Sequence, residues 1–540
     1  MPFLINVISF FWFARTIKFV LFWIYLWQLK EYHIGRFTDH FRTHKGKKLI
    51  FDPLLIVKIF LLPLILINYL FIYILLLIYI TEFLVFGLGI AKRNFKKPIL
   101  TFKTILLSLV SFTGVILYLF LSYKYVGENS RFIFALLIFD ILIPIFISAI
   151  VLLFQPFFVL VRNIILEKAK EKIKKINNLT VIGITGSYGK TSTKEFLTTI
   201  LSQKFNVLST LKHKNSEIGI AQTILKDLNA KHEIFIVEMG SYKKGGIKLL
   251  CDIVKPKIGI ITGVNEQHLA LFGSQDNLLS AEGGRELVES LPKNGLIVLN
   301  GDNKYCLNLY KKIYEFVGNN IEKKIYTTKK DKISSNIWTE DITVYKDYIS
   351  FIARSKEKEM AHFSVNVLGK QNVQNLLGAI LVAKEFGMDF GEISEACKNI
   401  QQNQASIILN KGIYGIDIID SSHSSNPDGV IADLDYLNIF PKKKVVVMPC
   451  LIELGNKSSE IHYAIGKKIA EICDLAIITT KDKFKEIKKG AAENGMPKDR
   501  ILLCDKSKEI FAHITTFCKE GDAVLLEGRV PKSLIEKLNV

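Results

Sequence analysis

Acidic residues are the scarce charged class in this 540-residue chain: 51 Asp and Glu face 71 Lys and Arg, a net charge of +20. Such an excess fits a polyanionic partner, but no motif that reads RNA or DNA accompanies it, so nucleic acid is excluded as its reason. Much of it borders apolar tracts, as with Lys168, Lys170, Lys172, Lys174 and Lys175, where attraction to anionic lipid headgroups explains it. Cysteine is sparse as well. The seven (251, 306, 397, 450, 473, 504 and 518) all follow residue 250 and form no Cys-x-x-Cys pair, which excludes a disulfide frame and a zinc site and reads as reduced, packed thiols. No small-residue cleavage site separates the first apolar run from the next, so no cleavable signal is expected. Internal repeats and low-complexity linkers are lacking too.

Apolar residues, by contrast, are abundant at one end. They make up 49% of the chain, and the mean hydropathy of +0.27 is too high for a wholly soluble protein of about three domains. Four tracts carry the excess: 3–29, 54–90, 105–125 and 132–161. A bilayer-crossing helix needs about 20 apolar residues, so the third and fourth read as spans. The second is long enough to be one tilted helix or a hairpin turning near 63–68. Arg15 and Lys18, near the middle of the first, leave it open between a span and an interfacial helix. Segment 30–48 holds Lys30, Arg36, Arg42, Lys45, Lys47 and Lys48, and segment 91–103 holds Lys92, Arg93, Lys96, Lys97 and Lys103. Positive segments stay on the cytoplasmic side, which places everything after the fourth tract in the cytoplasm. The expectation is an integral membrane protein with cytoplasmic catalytic domains.

The most informative stretch follows. Gly183-Ile-Thr-Gly-Ser-Tyr-Gly-Lys-Thr-Ser192 ends a strand-like run, Thr180–Thr185, and opens a helix-like one, Lys190–Leu201. Glycines let the backbone turn tightly so that its N–H groups and the positive end of the helix surround an anion. Lys190 then reaches the outer phosphates, and Thr191 or Ser192 offers a hydroxyl to Mg²⁺. The spacing misses the general Gly-x-x-x-x-Gly-Lys-Ser/Thr rule, since Ile184 stands where its first glycine belongs.

Downstream, short apolar strands alternate with helical stretches: Ile234–Glu238 then 246–253, 258–262 then 277–290, then Leu296–Asn300. That alternation predicts an α/β fold, a parallel sheet covered by helices on both faces. Ligands of such sheets gather at the carboxyl ends of the strands, where Lys190, Thr191, Glu238, Thr262 and His268 fall. A second alternation, with strands near 415–420, 444–448, 475–480, 501–504 and 523–527, predicts a smaller Rossmann-like C-terminal domain. The expected division is a membrane region 1–176 of four to five apolar helices, a central domain 177–402 and a C-terminal domain 403–540.

The loop in its narrower form, Thr-Gly-x-x-Gly-Lys-Thr-Ser, resembles the ATP loop of the Mur ligases, and further motifs follow in family order. Asn215-Ser-Glu-Ile-Gly219 and Glu238-Met-Gly240 are similar to segments of the member that adds D-alanyl-D-alanine. So are Thr262 to His268, Leu299-Asn-Gly-Asp302, Gly369 to Asn375, Ile419 to Asp428, and Glu453-Leu-Gly455 with His462. The resemblance covers about 177–540 and nothing before. It implies an ATP-dependent ligase of peptidoglycan precursor synthesis that transfers the γ-phosphoryl of ATP to a carboxylate, giving an acyl phosphate that an amine attacks. It further implies a muramyl-peptide carboxyl substrate and an amino acid or D-alanyl-D-alanine as the amine; the apolar tracts with their basic flanks, not the resemblance, add membrane lipids as partners and a lipid-linked form of that substrate. Carried over residue by residue, Lys190, Glu238 and His268 are catalytic. Thr185, Gly186, Ser187, Tyr188, Gly189, Lys190, Thr191, Ser192, Asn375 and Asp420 bind the nucleotide, and Thr191, Glu238 and His268 bind metal. His423 stands where relatives have His or Tyr. Two further readings stay open: a membrane ligase for another amino-acid or capsule polymer, and a nucleotide-binding scaffold with impaired catalysis.

The chain also departs from the resemblance. Aligning Glu286-Leu287 puts Gly284 at the position of the lysine that the family carbamylates, with Arg285 beside it as a nearby positive charge that cannot ligate a metal. The family's Thr-Asn becomes Thr262-Gly263 with Asn265 two residues on, and its Lys-Gly-Ser-Arg becomes Glu527-Gly-Arg529.

Overall fold

The structure, a computed structural model, describes residues 2–92, 95–127, 130–211, 214–329, 334–422 and 425–539. Packing divides the chain into two compact units, 1–163 and 164–540.

The first unit is helical: α1 (Pro2–Leu29), α2 (Ile34–His40), α3 (His44–Ile50), α4 (Pro53–Ile67), α5 (Phe71–Ala91), α6 (Phe102–Val126) and α7 (Ser130–Lys174), the last running on into the second unit. The long second tract is two helices. Asp52 starts α4 by accepting Leu54 N–H at 2.8 Å, ahead of Pro53 at the first helical position. Asn68 leaves helical geometry, and its side chain accepts Leu70 N–H at 3.0 Å to make the turn. By length and composition, five helical stretches could cross a membrane: Phe3–Leu29, His44–Ile67, Phe71–Ala91, Phe102–Val126 and Arg131–Lys174.

A buried knot of charge joins four of these helices. Arg15 of α1 is 4% exposed and ion-pairs with Glu82 of α5 at 2.6 Å and with Asp140 of α7. Lys58 of α4, fully buried, meets the same two acids at 2.6 and 3.0 Å. Arg15, which left the first tract open to an interfacial placement, is therefore neutralised inside the bundle. α1 and α5 lie side by side in one direction, because Phe11 meets Phe83, Arg15 meets Glu82, and Gln28 holds the backbone of Ile99 beyond the end of α5.

In the second unit a nine-stranded sheet runs β2-β3-β1-β4-β5-β6-β7-β8-β9. Its strands are β1 (Thr180–Thr185), β2 (Val207–Ser209), β3 (Ile234–Glu238), β4 (Ile258–Ile261), β5 (Leu296–Asn300), β6 (Glu322–Thr327), β7 (Ile337–Val344), β8 (Ile349–Ser355) and β9 (Met360–Val365). Successive residues face opposite sides. Ile182 and Ile184 of β1, with Ile234 and Ile236 of β3, pack into one core, while Val181, Phe235 and Val237 pack into the other. Pairing is parallel from β2 to β7, but β7, β8 and β9 form an antiparallel extension that the sequence pattern did not announce. The helix expected over 277–290 is broken into Gln275–Ser280 and Arg285–Ser290, with Gly284 at φ +88° between them.

The second sheet runs β10-β11-β15-β12-β13-β14, comprising β10 (Ile408–Lys411), β11 (Asp417–Ser421), β12 (Lys444–Met448), β13 (Leu475–Ile478), β14 (Ile501–Leu503) and β15 (Ala523–Glu527). It is parallel as expected, except for the added edge strand β10.

Candidate active site

The site is built where β1, β3 and β4 end side by side. Gly186, at φ +140°, and Gly189, at φ +77°, bend the chain from β1 into α8 (Lys190–Leu201). Gly189 caps α8 with backbone alone, so no side chain takes up the amides of the first turn. The loop is gripped from both sides. Ser187 N–H donates to the Gly263 carbonyl at 2.7 Å, and the Thr262 hydroxyl donates to the carbonyls of Thr185, at 3.2 Å, and Tyr188. A side chain at Gly186 would strike Thr262, and one at Gly189 would strike the Asn375 amide oxygen. Tyr188 accepts an N–H from Asn303 at 3.1 Å, and burial raises its phenol pKa above the ordinary range. Lys190 donates to the Gly186 carbonyl, which keeps its ammonium at the loop.

Glu238 closes one flank. Only 2% exposed at the end of β3, it accepts the Thr191 hydroxyl at 3.0 Å and the Asn215 amide at 3.0 Å, one on each oxygen. Fully buried Lys194, one turn along α8, lies 3.6 Å away while donating to the Thr210 carbonyl at 2.6 Å. Thr191 and Glu238 therefore offer adjacent oxygens, the donor set that a hard cation such as Mg²⁺ takes.

His268 belongs to a neighbouring cluster. It holds φ +66° at the start of a short helix, with Nδ1 3.1 Å from Glu282 and Nε2 3.7 Å from Glu453. The second oxygen of Glu282 accepts the Ser187 hydroxyl at 3.1 Å. Among the described residues no group of three or more His, Cys, Asp or Glu side chains is arranged to hold a metal ion. Thus Lys190, Thr191 and Glu238 come together, whereas His268 is turned toward two acids of its own.

The C-terminal lobe meets the central one beside this site. Asn265 donates to Asn426 at 2.9 Å and to Asp428 at 2.7 Å, and Ala270 N–H donates to the Glu453 carbonyl at 3.0 Å. Burial raises the carboxyl pKa of Asp428. Gln371 donates to Asp433 at 2.9 Å, while the Ser421 hydroxyl donates to the other oxygen of Asp433 at 2.5 Å. Glu527, at the end of β15, is buried beside Asp433. Burial first, and the Asp433 charge second, push its pKa well above the carboxylate range, and burial raises Asp433 as well. Asp420 turns to its own strand end and accepts Ser422 N–H at 2.9 Å. His462 is a structural pin, taking Leu451 N–H at 2.9 Å, with burial lowering its pKa. His423 lies outside the described residues.

Sequence reasoning named neither Lys194, Glu282 nor Glu453 as site residues. The signal for two of them was present, since Glu453 opens a quoted motif and Glu282 neighbours Gly284. Arg285 does not supply charge to the site: it pairs with Glu289 at 2.8 Å and stacks over Phe316. A side chain on Gly284 would strike Ile261 in the core.

Comparison with known proteins completes the picture. Residues 184–383 match the Mur ligase middle domain, and residues 408–530 match the Mur ligase glutamate ligase domain. The UDP-N-acetylmuramoyl-tripeptide–D-alanyl-D-alanine ligase of Synechocystis is 30% identical over 65% of this chain and 72% of its own length. The Bacillus subtilis enzyme of the same name is 26% identical over 66% and 76%. The fold is similar to that of MurF from Acinetobacter baumannii, with a TM-score of 0.61 and 20% identity over 69% of this chain and 79% of that one. It is also similar to MurF ligase from Thermotoga maritima in complex with ADP, with a TM-score of 0.58 and 22% identity over 70% and 84%.

Proposed function

The chain belongs to the Mur ligase family, whose members are ATP-dependent acid–amino acid ligases, and from that premise we propose that it adds D-alanyl-D-alanine, or another amino acid or dipeptide, to a muramyl peptide. The observation that carries this reading is the phosphate loop with Thr191 and Glu238 paired at 3.0 Å beside it, in a chain 30% identical over 65% of its length to a UDP-N-acetylmuramoyl-tripeptide–D-alanyl-D-alanine ligase. Lys190 neutralises the outer phosphates of ATP, and the uncapped amides of α8 hold them. Mg²⁺, when bound to Thr191 and Glu238, supplies the charge neutralisation that phosphoryl transfer needs. Asn215 and Lys194 fix the Glu238 carboxylate for that task. Asn375, whose amide oxygen lies against Gly189, is assigned to the nucleotide, and so is Asp420 of the C-terminal lobe, although it accepts Ser422 N–H at its own strand end. The Ser187–Glu282–His268–Glu453 chain links the loop to the C-terminal lobe.

We place the helical unit in a membrane with the ligase lobes in the cytoplasm. Supporting this are the five long apolar helices, the common direction of α1 and α5, and the basic segments that follow both of them. In that setting the carboxyl substrate is membrane-borne or handed over by a membrane partner. The test is mass analysis of products and ADP release from the purified full-length protein with ATP, D-alanyl-D-alanine and either a UDP-linked or a lipid-linked muramyl tripeptide. A product heavier by the dipeptide, formed faster from the lipid-linked acceptor, is expected. ATP binding without turnover on either acceptor would leave a scaffold in its place.

A further inference from the structure

Beside the buried charge knot of the helical unit stands one further cation that is outside its ion pairs. Arg15 and Lys58 are matched by Glu82 and Asp140. Lys18, one turn beyond Arg15 on α1, is a third, half-buried cation, and the acids whose charges reach it, Glu82 and Asp52, are engaged elsewhere, Glu82 with Arg15 and Lys58 and Asp52 at the start of α4. Among the described residues it makes no ion pair, and its ammonium lies 6.0 Å from the ring centres of both Phe19 and Phe86. It borders a cavity of about 240 Å³ between α1 and α5, lined also by Phe22, Val85, Phe86 and Phe95, with exposed Lys96 completing the rim. Phe86 and Phe95 close one wall edge to face at 5.1 Å.

Depth decides what such a groove holds. Phe86 stands five residues before the end of α5, ~8 Å along the helix axis, so a lysine stem at that level reaches the headgroup layer. A half-buried ammonium that borders apolar walls and makes no ion pair is stabilised when an anion joins it. The anion that arrives with an apolar chain attached is a lipid phosphate. We propose that the α1–α5 groove is a binding site for a net-anionic membrane phospholipid, its phosphate between Lys18 and Lys96 and its chain along Phe22, Val85 and Phe86. The site rests on the membrane placement proposed above, but none of its residues belongs to the ligase lobes, so its failure leaves the ligation assay untouched.

The test is native mass spectrometry of the full-length protein released from neutral detergent after incubation with phosphatidic acid, phosphatidylcholine or inorganic phosphate. Phosphatidic acid is expected to be retained at least fivefold more than phosphatidylcholine, and inorganic phosphate not at all. The Lys18→Gln/Lys96→Gln double variant should lose that preference, and Lys18→Arg should keep it. Because Lys96 is exposed, Lys96→Gln alone provides a reading free of folding effects, with retention falling at least twofold. Undiminished retention by Lys96→Gln and by the double variant, equal retention of phosphatidylcholine, or equal binding of free phosphate would each overturn the site.

Discussion

Lys194 and Glu238 meet 3.6 Å apart in the floor of the site, the lysine fully buried and the glutamate nearly so. The lysine also satisfies the Thr210 carbonyl, and Thr210 in turn accepts the N–H of Glu238 on its hydroxyl at 3.0 Å. The Glu238 carboxylate is thus tied by charge and backbone to the same helix that carries Lys190 and Thr191.

Lys194→Met should therefore destabilise the central domain by about 2–4 kcal/mol, because it leaves a buried carboxylate and a carbonyl without their cation. Chemical denaturation followed by circular dichroism measures it; a loss below about 0.5 kcal/mol would show the pair to be incidental.

Lys190→Ala should act in the opposite way. Among the described residues its ammonium donates to a loop carbonyl alone, so substrate-dependent ADP release should fall roughly 100-fold or more while the melting temperature stays put. Glu238→Ala should lose turnover too, with partial recovery at high Mg²⁺ if its task is metal affinity; no recovery at any Mg²⁺ concentration would assign it to structure.

Gly284 yields a negative expectation. With no lysine there, turnover should be the same in degassed and bicarbonate-supplemented buffer. Gly284→Lys should not create a metal ligand, because φ is +88° and its Cβ would strike Ile261; a loss of about 2 kcal/mol or more is expected instead. Bicarbonate dependence would show that another lysine takes the role.

The Asp433–Glu527 pair sets a pH dependence. Glu527 has a folded pKa raised above its ordinary 4.5, so the folded protein holds a proton that the unfolded chain releases between those two values. Stability from this group is greatest at low pH and falls as pH rises through that window. Glu527→Gln keeps the shape without the titration. Its melting temperature should exceed that of the parent at pH 8, with the gap closing toward pH 5; parallel profiles would contradict the shared proton.

The loop and strand ends were legible because their pattern is local: Gly186, Gly189, Lys190 and Thr191 lie together in the turn between an apolar strand and a helix. Parallel strands buried on both faces, such as β1 and β3, read as short apolar runs. Lys194 was not legible, since its partner Glu238 meets it only through the sheet order, and Glu282, though it sits in a segment singled out for Gly284, showed nothing of its partners Ser187 and His268. The β7–β9 extension escaped because each strand shows one face to solvent, so Ile349, Phe351 and Ala353 alternate with polar or partly exposed neighbours instead of forming a run. Gly283 and Gly284 carried the break within 277–290, but an apolar pattern on either side masked it. In the helical unit, composition revealed the apolar helices and not the pairing of Arg15 with Glu82 and Asp140, which depends on which helices pack together.

That pairing also imposes an order on biogenesis. In the proposed membrane placement, α1 leaves the ribosome with Arg15 long before Glu82 and Asp140 exist to receive it, so the first helix cannot settle alone in the hydrocarbon. It must wait at the insertion machinery or at the bilayer surface until α5 and α7 follow. A chain cut short before Asp140 would then be held as an unfinished, degradable intermediate, and quality control over the membrane unit is written into the positions of four charged side chains.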